Sequence, residues 1–330
     1  MNYKAVAQAH SNIALVKYWG KQASQLNLPA VGSISLTLQE LYTTTSICFE
    51  KNQRADILIL NKNSASEKVQ ARVSTFLDIF RAKANINFMA EVISENNFPT
   101  GAGLASSASA FAALSLATST ALGLNLSKTE LSQLARRGSG SAARSIYGGF
   151  VEMKKGSEPD GSDAVAIQLA DQHYWDLRLL IFITSKTEKE ISSTTGMNHT
   201  SRTSPYYGSW VATSNDDLQE MRSAIASKDF EKLGELAEFN CMKMHALSFS
   251  ARPALIYWNE LTIKLIHAIR ELRQSGLQVY FTIDAGPQVK VITIPGFIEK
   301  VKNELNAIPG IKNCIETSLG PDAKIIEDYN

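Results

Sequence analysis

The sequence predicts a protein of the α+β class with two domains, and three observations support this. A length of 330 residues exceeds what one hydrophobic core normally organises. The hydrophobic fraction of 44% and the charged fraction of 20% are typical of globular chains. Strand-like and helix-like segments are mixed without strict βαβ alternation, which favours two α/β-layered units over a doubly wound sheet. We place the domain boundary after a buried segment, giving domains 1–185 and 186–330.

The first domain is predicted to open with strands. Segments within the first sixty residues, such as YKAVAQAH and LYTTTSICFE, alternate or are rich in β-branched residues. Residues 67–83 then place five apolar side chains on one helical face, those of Val69, Val73, Phe76, Leu77 and Phe80. The segment NFMAEVIS predicts another strand, and FAALSLATSTALGL predicts an Ala/Leu-rich helix.

A capping box marks the next helix. Ser127 and Glu130 have the Ser-x-x-Glu spacing that opens a helix over 128–137, and Gly138 is the expected end. A short helix at SAARSIY, a strand at FVEM and a buried strand over 176–184 complete the first domain. In the second domain we expect helices near 215–240 and 259–275, strands QVYFTID and QVKVITI, and a helix at FIEKVKNELNAI.

Composition excludes several classes of partner. A net charge of +1 predicts no general affinity for nucleic acid or membrane. No window approaches 18 uninterrupted apolar residues, so no membrane span is expected. The three cysteines lie far apart and are odd in number, which suits a reducing compartment better than a disulfide framework. Because the N-terminus also lacks the layout of a signal peptide, we expect a cytoplasmic protein.

The stretch PTGAGLASSASAF, residues 99–111, is built from small side chains. Gly101 and Gly103 permit close approach of the backbone to a ligand, and Ser106 and Ser107 precede an Ala-rich helix whose N-terminus favours phosphate. Serine hydroxyls there can also reach a phosphate-bound Mg²⁺. A capped and tightly packed helix explains the same residues, so both interpretations stay open at this point.

Other nucleotide-binding motifs are absent. The nearest approach to a P-loop, Gly20-Lys21, is followed by Gln22 rather than Ser or Thr. Gly138-x-Gly140-x-x-Ala143 has the relaxed dinucleotide-binding spacing, but it follows a predicted helix, whereas such a loop must follow a strand. We therefore exclude a dinucleotide site.

Five segments, in order, carry a family resemblance: SNIALVKYWGK, NFPTGAGLASSAS, RRGSGSAARSIYGGFVE, SSTTGM and YFTIDAGP. Together they resemble the mevalonate diphosphate decarboxylases of the GHMP kinase superfamily, over about residues 5–290. The resemblance implies a GHMP kinase fold, with an ATP-binding N-terminal domain, a C-terminal domain and the active site in the cleft between them. It further implies that MgATP phosphorylates the 3-hydroxyl of mevalonate 5-diphosphate, and that phosphate and CO₂ are then lost to give isopentenyl diphosphate.

The resemblance also assigns catalytic residues. It implies that Asp284 is the base for the 3-hydroxyl, that Arg144 holds the C1 carboxylate, and that Lys17 and Asn12 lie near the reacting centre. Taken alone, Asp284 before Ala285-Gly286 reads as a turn residue. Arginine has the planar fork that binds a carboxylate at two points, which lysine lacks.

Binding residues follow from the same resemblance. The implied contacts of the substrate diphosphate are Tyr18, Lys21, Ser139, Gly140 and Ser141, with Arg144 on the carboxylate. The implied ATP-binding residues are Ser94, Gly101, Gly103, Leu104, Ala105, Ser106, Ser107, Ser193 and Met197. No carboxylate cage for a metal is evident, so Mg²⁺ is expected to arrive with ATP and to meet Ser107.

Three alternatives stay open. Relatives of this type can act on the 5-monophosphate or phosphorylate mevalonate at the 3-position without decarboxylation, and a third possibility is a ligand sensor that has lost catalysis. The chain departs from the family at Val31-Gly32, where Asn-Ser is usual, which bears on the substrate side of the site. The family is usually dimeric, so we expect a homodimer.

Overall fold

The computed structural model describes residues 3–23, 25–98, 106–185, 187, 190–311 and 313–329. Its elements follow the predicted mixture of strands and helices. The strands are β1 Lys4–Val16, β2 Lys21–Ala23, β3 Leu28–Pro29, β4 Ser33–Glu50, β5 Ile57–Leu60, β6 Asn63–Ser64, β7 Met89–Asn96, β8 Phe150–Met153, β9 Ala166–Ala170, β10 Arg178–Ile183, β11 Val279–Ile283, β12 Val289–Thr293, β13 Asn313–Ser318 and β14 Lys324–Asp328.

Among the described residues, helices are more numerous in the second half of the chain than in the first. They are α1 Glu67–Ala84, α2 Ser106–Ala121, α3 Lys128–Gly138, α4 Ser193–Thr203, α5 Tyr207–Ala212, α6 Ser214–Ser227, α7 Phe230–Phe249, α8 Glu260–Gln274 and α9 Ile298–Asn306. Two 3₁₀ helices, Gly140–Ile146 and Pro295–Phe297, complete the described elements. The expected helix near 215–240 is two helices, because Lys228 adopts a left-handed conformation and Asp229 caps α7.

Two sheets organise the molecule. The larger sheet has the order β14-β1-β4-β7-β5-β6, with β8 pairing the first part of β4 and β9 pairing β8. The smaller sheet has the order β11-β12-β10-β13 and is antiparallel. β1 and β4 are the longest strands and pair antiparallel over most of their length. The candidate site is built on these two strands.

Among the described residues, three of the apolar cores lie between sheets and helices. One core lies between the larger sheet and α1 to α3, and includes Phe76, Phe80 and Phe111. A second joins β1 and β4 to β10 and to α6 and α7, and a third packs the smaller sheet against α8 and α9. Four of the five residues expected on the buried face of α1 are buried, whereas the prediction for Val69 was wrong because it is 38% exposed.

Sheet pairing crosses the expected domain boundary. β10, which our division placed in the first domain, pairs with β12 and β13 of the smaller sheet. Near the C-terminus, β14 returns to pair with β1 in the larger sheet. The division into 1–185 and 186–330 therefore stays a proposal, and strand pairing by itself favours a division between β9 and β10.

Within the described residues, no helix combines the length and the apolar character that crossing a membrane requires.

Candidate active site

The centre of the site lies where β1 of the larger sheet meets β11 of the smaller one. Thr282 of β11 donates a hydrogen bond to the carbonyl of Ala14 in β1, at 3.3 Å. Just beyond these residues, Lys17 Nζ lies 2.7 Å from Asp284 Oδ1. The Lys17 side chain is 1% exposed and that of Asp284 is 25% exposed. An ion pair that joins the two sheets is thus open to solvent only through its carboxylate.

Neighbouring helices fix both partners of this ion pair. The backbone N–H of Lys17 donates to Asn240 Oδ1 at 2.7 Å, and Asn240 in turn donates to Asp217. The end of β11 is held by α7, because the N–H of Ile283 donates to Cys241 Sγ at 3.2 Å. Asp284 follows Ile283 directly, so its position depends on α7.

Two lysines determine the charge state of Asp284. Burial by itself would raise the pKa of this carboxyl, but the charges of Lys17 and Lys290 outweigh that effect and hold the pKa well below its usual range. Lys290 Nζ lies 3.4 Å from Asp284 Oδ2, and its side chain is fully buried. The carboxylate is therefore ionised and can accept a proton.

All three guanidinium nitrogens of Arg144 are held by neighbouring side chains. Nε donates to Ser35 Oγ at 3.0 Å, Nη1 to Ser33 Oγ at 2.5 Å, and Nη2 to Asn12 Oδ1 at 3.0 Å. These contacts with described residues use three of about five N–H donors, so each terminal nitrogen keeps one for a ligand. Burial lowers the pKa of Arg144 to about 10, which still leaves the guanidinium charged near neutral pH.

Asn12 contacts both the Arg144 side chain and other residues of the 3₁₀ helix Gly140–Ile146, on which Arg144 lies. Its Nδ2 donates to the carbonyl of Ser141 at 3.0 Å and to Ser145 Oγ at 2.7 Å. The amide therefore orients the guanidinium with its oxygen and the 3₁₀ helix with its nitrogen. Asn12, Lys17, Arg144 and Asp284, the four predicted catalytic residues, thus belong to one cluster.

Serine hydroxyls from two helix starts meet beside this cluster. Ser107 Oγ, in the first turn of α2, lies 3.2 Å from Ser139 Oγ, and Ser139 Oγ lies 3.3 Å from Ser141 Oγ. α2 begins at Ser106, so its free N–H groups and partial positive charge are directed to the same place. The predicted ATP-binding residues Gly101, Gly103, Leu104 and Ala105 lie outside the described residues.

The Tyr18 hydroxyl is buried and has no hydrogen-bond partner among the described residues. Its ring packs so closely on Gly140 that a Cβ there would lie 2.3 Å from the hydroxyl oxygen, which explains the glycine. Burial raises the pKa of Tyr18, while Arg144 and Arg136 oppose the shift. A hydroxyl donor without a partner among the described residues, under the electrostatic influence of two arginines, fits an anionic ligand.

Lys21 lies at the outer edge of the site. Its Nζ is 2.7 Å from Asn27 Oδ1 and 3.3 Å from Thr194 Oγ1. Burial and the charge of Arg72 lower the pKa of Lys21. Arg72 of α1 donates to the carbonyl of Gly138 at 2.6 Å, so a second cation lies near the predicted diphosphate contacts.

Three other predicted residues lie apart from the cluster. Ser94 is buried in β7 and pairs with Thr45 through hydroxyls 2.9 Å apart. Met197 is buried in an aromatic core with Trp19 and Trp210. Ser193 begins α4, next to the Thr194 that contacts Lys21. A nucleotide-binding role for these three residues stays a prediction.

Val31-Gly32, the departure from the family, is accounted for by packing. Val31 is buried in the aromatic core, and a Cβ on Gly32 would lie 2.7 Å from Leu218 Cδ1. Ser33, which follows, is retained and contacts Arg144. The apolar pair therefore supports the strand that presents Ser33.

Sequence reasoning missed Lys290, Arg72, Ser33 and Ser35. A signal for Lys290 existed, because QVKVITI follows the Asp284 turn and pairs with its strand. The serines alternate along β4 and so share one face. Their relation to Arg144 depends on a contact between residues more than a hundred positions apart.

Comparisons with known proteins show which family this chain resembles. Residues 9–166 match the family described as "Diphosphomevalonate decarboxylase-like N-terminal domain", and residues 179–325 match "Mevalonate 5-diphosphate decarboxylase C-terminal domain". The diphosphomevalonate decarboxylase of Candida albicans is 35% identical, with 97% of this chain and 97% of that protein covered. That of Danio rerio is 33% identical, with 97% and 92% covered.

Solved structures also match this chain over nearly its whole length. The mevalonate diphosphate decarboxylase of Staphylococcus aureus has a TM-score of 0.94 and 39% identity, covering 99% of each chain. A structure described as "MDDEF in complex with MVAPP, AMPPCP and Magnesium" has a TM-score of 0.91 and 40% identity, covering 98% of this chain and 99% of that one. The fold and site define a two-domain protein of the GHMP kinase class. Within that class, the chain belongs to the diphosphomevalonate decarboxylase family.

Proposed function

We propose that the chain catalyses the ATP-dependent decarboxylation of mevalonate 5-diphosphate to isopentenyl diphosphate, ADP, phosphate and CO₂, through a 3-phosphorylated intermediate. The observation that carries the proposal is the ion pair of Lys17 with Asp284, 2.7 Å apart, whose carboxylate also interacts electrostatically with the Arg144 guanidinium. Relatives named for this activity support it, as does the matched structure described with MVAPP, AMPPCP and magnesium.

Asp284 is the proposed base. Its carboxylate is ionised at neutral pH and is the exposed partner of the ion pair, so it can meet the 3-hydroxyl of a bound substrate. Because its pKa is held low, Asp284 is a weak base toward a free alcohol. The proton therefore moves to Asp284 as the new O–P bond forms, and Lys17 stabilises the charge that develops beside it.

Arg144 is the proposed carboxylate clamp. Ser33, Ser35 and Asn12 fix the guanidinium and leave one N–H donor on each of its two terminal nitrogens, which is what a two-point contact requires. A two-point contact keeps the C1 carboxylate anionic and oriented while the 3-phosphate leaves. When the C1–C2 bond breaks, its electron pair forms the C2–C3 double bond, and the 3-phosphate departs with the electrons of the C3–O bond.

The phosphates of the two substrates are proposed to meet at the serine hydroxyls. Ser106 and Ser107 at the start of α2 would hold the triphosphate of ATP, whose Mg²⁺ neutralises phosphate charge when bound. Ser139, Gly140 and Ser141 would hold the substrate diphosphate with Tyr18 and Lys21. The unpartnered Tyr18 hydroxyl supports this arrangement, since a phosphate oxygen would accept its hydrogen bond. Arg72 adds a cation at that end, which favours the diphosphate over the monophosphate.

Assembly and location are further proposals. We infer a homodimer from the family resemblance. A cytoplasmic location is supported by the three cysteines, Cys48, Cys241 and Cys314, all of which are free thiols.

Product identification by mass spectrometry tests the function. Purified protein is incubated with MgATP and, side by side, mevalonate, its 5-phosphate and its 5-diphosphate. We expect isopentenyl diphosphate, ADP, phosphate and CO₂ from the diphosphate alone. Isopentenyl phosphate would instead indicate a monophosphate decarboxylase. A stable 3-phosphate ester without CO₂ would indicate a 3-kinase, and no turnover by folded protein would indicate a sensor.

A further inference from the structure

A second lysine lies on the far side of the Asp284 carboxylate. The β11–β12 hairpin pairs Thr282 with Lys290, and directly opposite residues of antiparallel strands project to the same face. Asp284 lies two residues after Thr282 and projects to that face as well. Lys290 Nζ is 3.4 Å from Oδ2, whereas Lys17 Nζ is 2.7 Å from Oδ1. Each carboxylate oxygen therefore has its own lysine.

The two lysines approach Asp284 from different sides. Lys290 projects from the middle of a sheet and its side chain is 0% exposed, so its ammonium faces Asp284 from within the protein. Lys17 follows the end of β1 and comes from the other sheet, on the side of Arg144 and Asn12. Both lysine side chains are buried, at 1% and 0% exposure, but of the two Lys17 lies on the side of Arg144, where the substrate carboxylate is proposed to bind.

The titratable groups around Asp284 come from four elements. Lys17 lies beyond β1, Arg144 on the 3₁₀ helix, Lys290 on β12, and Cys241 and His245 on α7. His245 is neutral because burial lowers its pKa to about 3, and Cys241 is neutral because burial raises its pKa to about 11. The charges that remain are three cations and one carboxylate. When an anionic substrate draws Lys17 toward itself, Lys290 is the lysine that still pairs with Asp284.

We propose that Lys290 is a positioning residue for the base: it holds Oδ2 of Asp284, so that the carboxylate stays fixed and ionised while Lys17 turns to the anionic groups of the substrate. Lys290 does not touch the reacting atoms, and it acts through Asp284. The proposal rests on the proposed function, in which Asp284 accepts the proton of the 3-hydroxyl.

A double-mutant cycle in kcat tests this proposal. The variants are Lys290→Met, which keeps side-chain length without charge, Asp284→Asn, and the double variant. Lys302→Met is the matched control. It also removes the charge of a paired lysine, since Lys302 Nζ lies 2.8 Å from Glu316 Oε2, but this pair is not part of the site. ADP release and CO₂ release are followed with MgATP and mevalonate 5-diphosphate. Activity of the wild-type protein tests the proposed function separately, before any variant is compared.

The expected result is loss of kcat without loss of binding. Lys290→Met should lower kcat about 10- to 100-fold, because a misplaced reacting group costs rate of that order, with both KM values within about threefold. In the Asp284→Asn background the same substitution should change kcat less than about threefold, because residues that act as a unit are not additive. Lys302→Met should keep wild-type kcat. An equal loss in both backgrounds, or wild-type kcat for Lys290→Met, would overturn the proposal.

A folding control keeps the test decisive. Circular dichroism and thermal unfolding are measured for each variant, and Lys290→Gln is studied beside Lys290→Met. If both neutral variants fail to fold alone but Asp284→Asn/Lys290→Met folds, the carboxylate is what requires Lys290, which supports the proposal. If the double variant also fails to fold, Lys290 serves packing and the proposal is wrong.

Discussion

Two carboxylates of this protein, those of Asp56 and Asp284, are paired with cations in opposite ways. Asp56 contacts Arg81 of α1 and also accepts the N–H of Ala90 at 2.8 Å, and both charged side chains are nearly sealed from solvent at 5% and 6% exposure. Arg81 donates further to the carbonyl of Phe88 and to Asp78. One arginine therefore meets two carboxylates and a carbonyl, and each of its three guanidinium nitrogens donates one hydrogen bond.

Around Asp284 the ratio of cations to carboxylates is reversed. Two lysines and a nearby arginine surround one carboxylate, which is 25% exposed. Burying an excess of cations is unfavourable unless an anion completes the site. The comparison teaches that a closed and balanced ion cluster stabilises the fold, whereas an open cluster with excess cation is prepared for an anionic substrate. The following predictions test this difference.

Substitution of the base should have the largest effect on catalysis. Asp284→Asn keeps the shape of the side chain but removes the proton acceptor, so kcat should fall on the order of 10²–10⁴-fold. Nucleotide affinity, measured by isothermal titration with a non-hydrolysable ATP analogue, should change little. A variant with near-normal kcat would show that another group is the base.

Substitution of Arg144, the proposed carboxylate clamp, should have the second-largest effect on catalysis. Arg144→Lys keeps a positive charge but loses the fork and the contacts with Ser33 and Asn12, so kcat/KM should fall about 10²-fold. Steady-state kinetics with mevalonate 5-diphosphate measure this effect. Retention of activity by the lysine variant would mean that charge alone is sufficient at this position.

Substitution in the Asp56–Arg81 cluster should lower the stability of the protein and leave catalysis unchanged. Arg81→Met leaves Asp56 buried without its cation, and the free energy of unfolding should fall by about 3–5 kcal/mol. Urea unfolding measures the loss, and kcat of the protein that remains folded should stay close to wild type. A fall in kcat with unchanged stability would contradict the assignment of this cluster to the fold.

The smallest effect is expected for a hydroxyl at the start of α2. Ser107→Ala removes one hydrogen-bonding group at the proposed phosphate site, which typically contributes about 0.5–1.5 kcal/mol. KM for ATP should therefore rise a few-fold to about tenfold, while KM for mevalonate 5-diphosphate should change less. The opposite pattern would place Ser107 on the other substrate.

Most elements with strong local signals could be predicted from the sequence. The capping box of Ser127 and Glu130 is present as predicted, and α3 ends at Gly138. Strands β11 and β12 and helix α9 lie within the expected segments. The sheet membership of β10 and β14 could not be predicted, because local pattern shows that a segment is extended but not which strand it pairs with.

The candidate site shows the same limit. Motif resemblance found Asn12, Lys17, Arg144 and Asp284, and the structure brings all four together. It did not find Lys290, whose importance depends on hairpin register, or Arg72, whose side chain reaches Gly138 from a separate helix. Met197 lies in an aromatic core, a packing environment that its motif could not indicate.

A crystal structure with mevalonate 5-diphosphate and a non-hydrolysable ATP analogue tests the central claim most directly. The account predicts a carboxylate oxygen of Asp284 within hydrogen-bond reach of the 3-hydroxyl, about 2.6–3.2 Å, with Lys17 and Arg144 on the anionic groups of the substrate. It also predicts the terminal phosphate of the analogue beside Ser107. A 3-hydroxyl far from Asp284, or a triphosphate bound away from the start of α2, would contradict it.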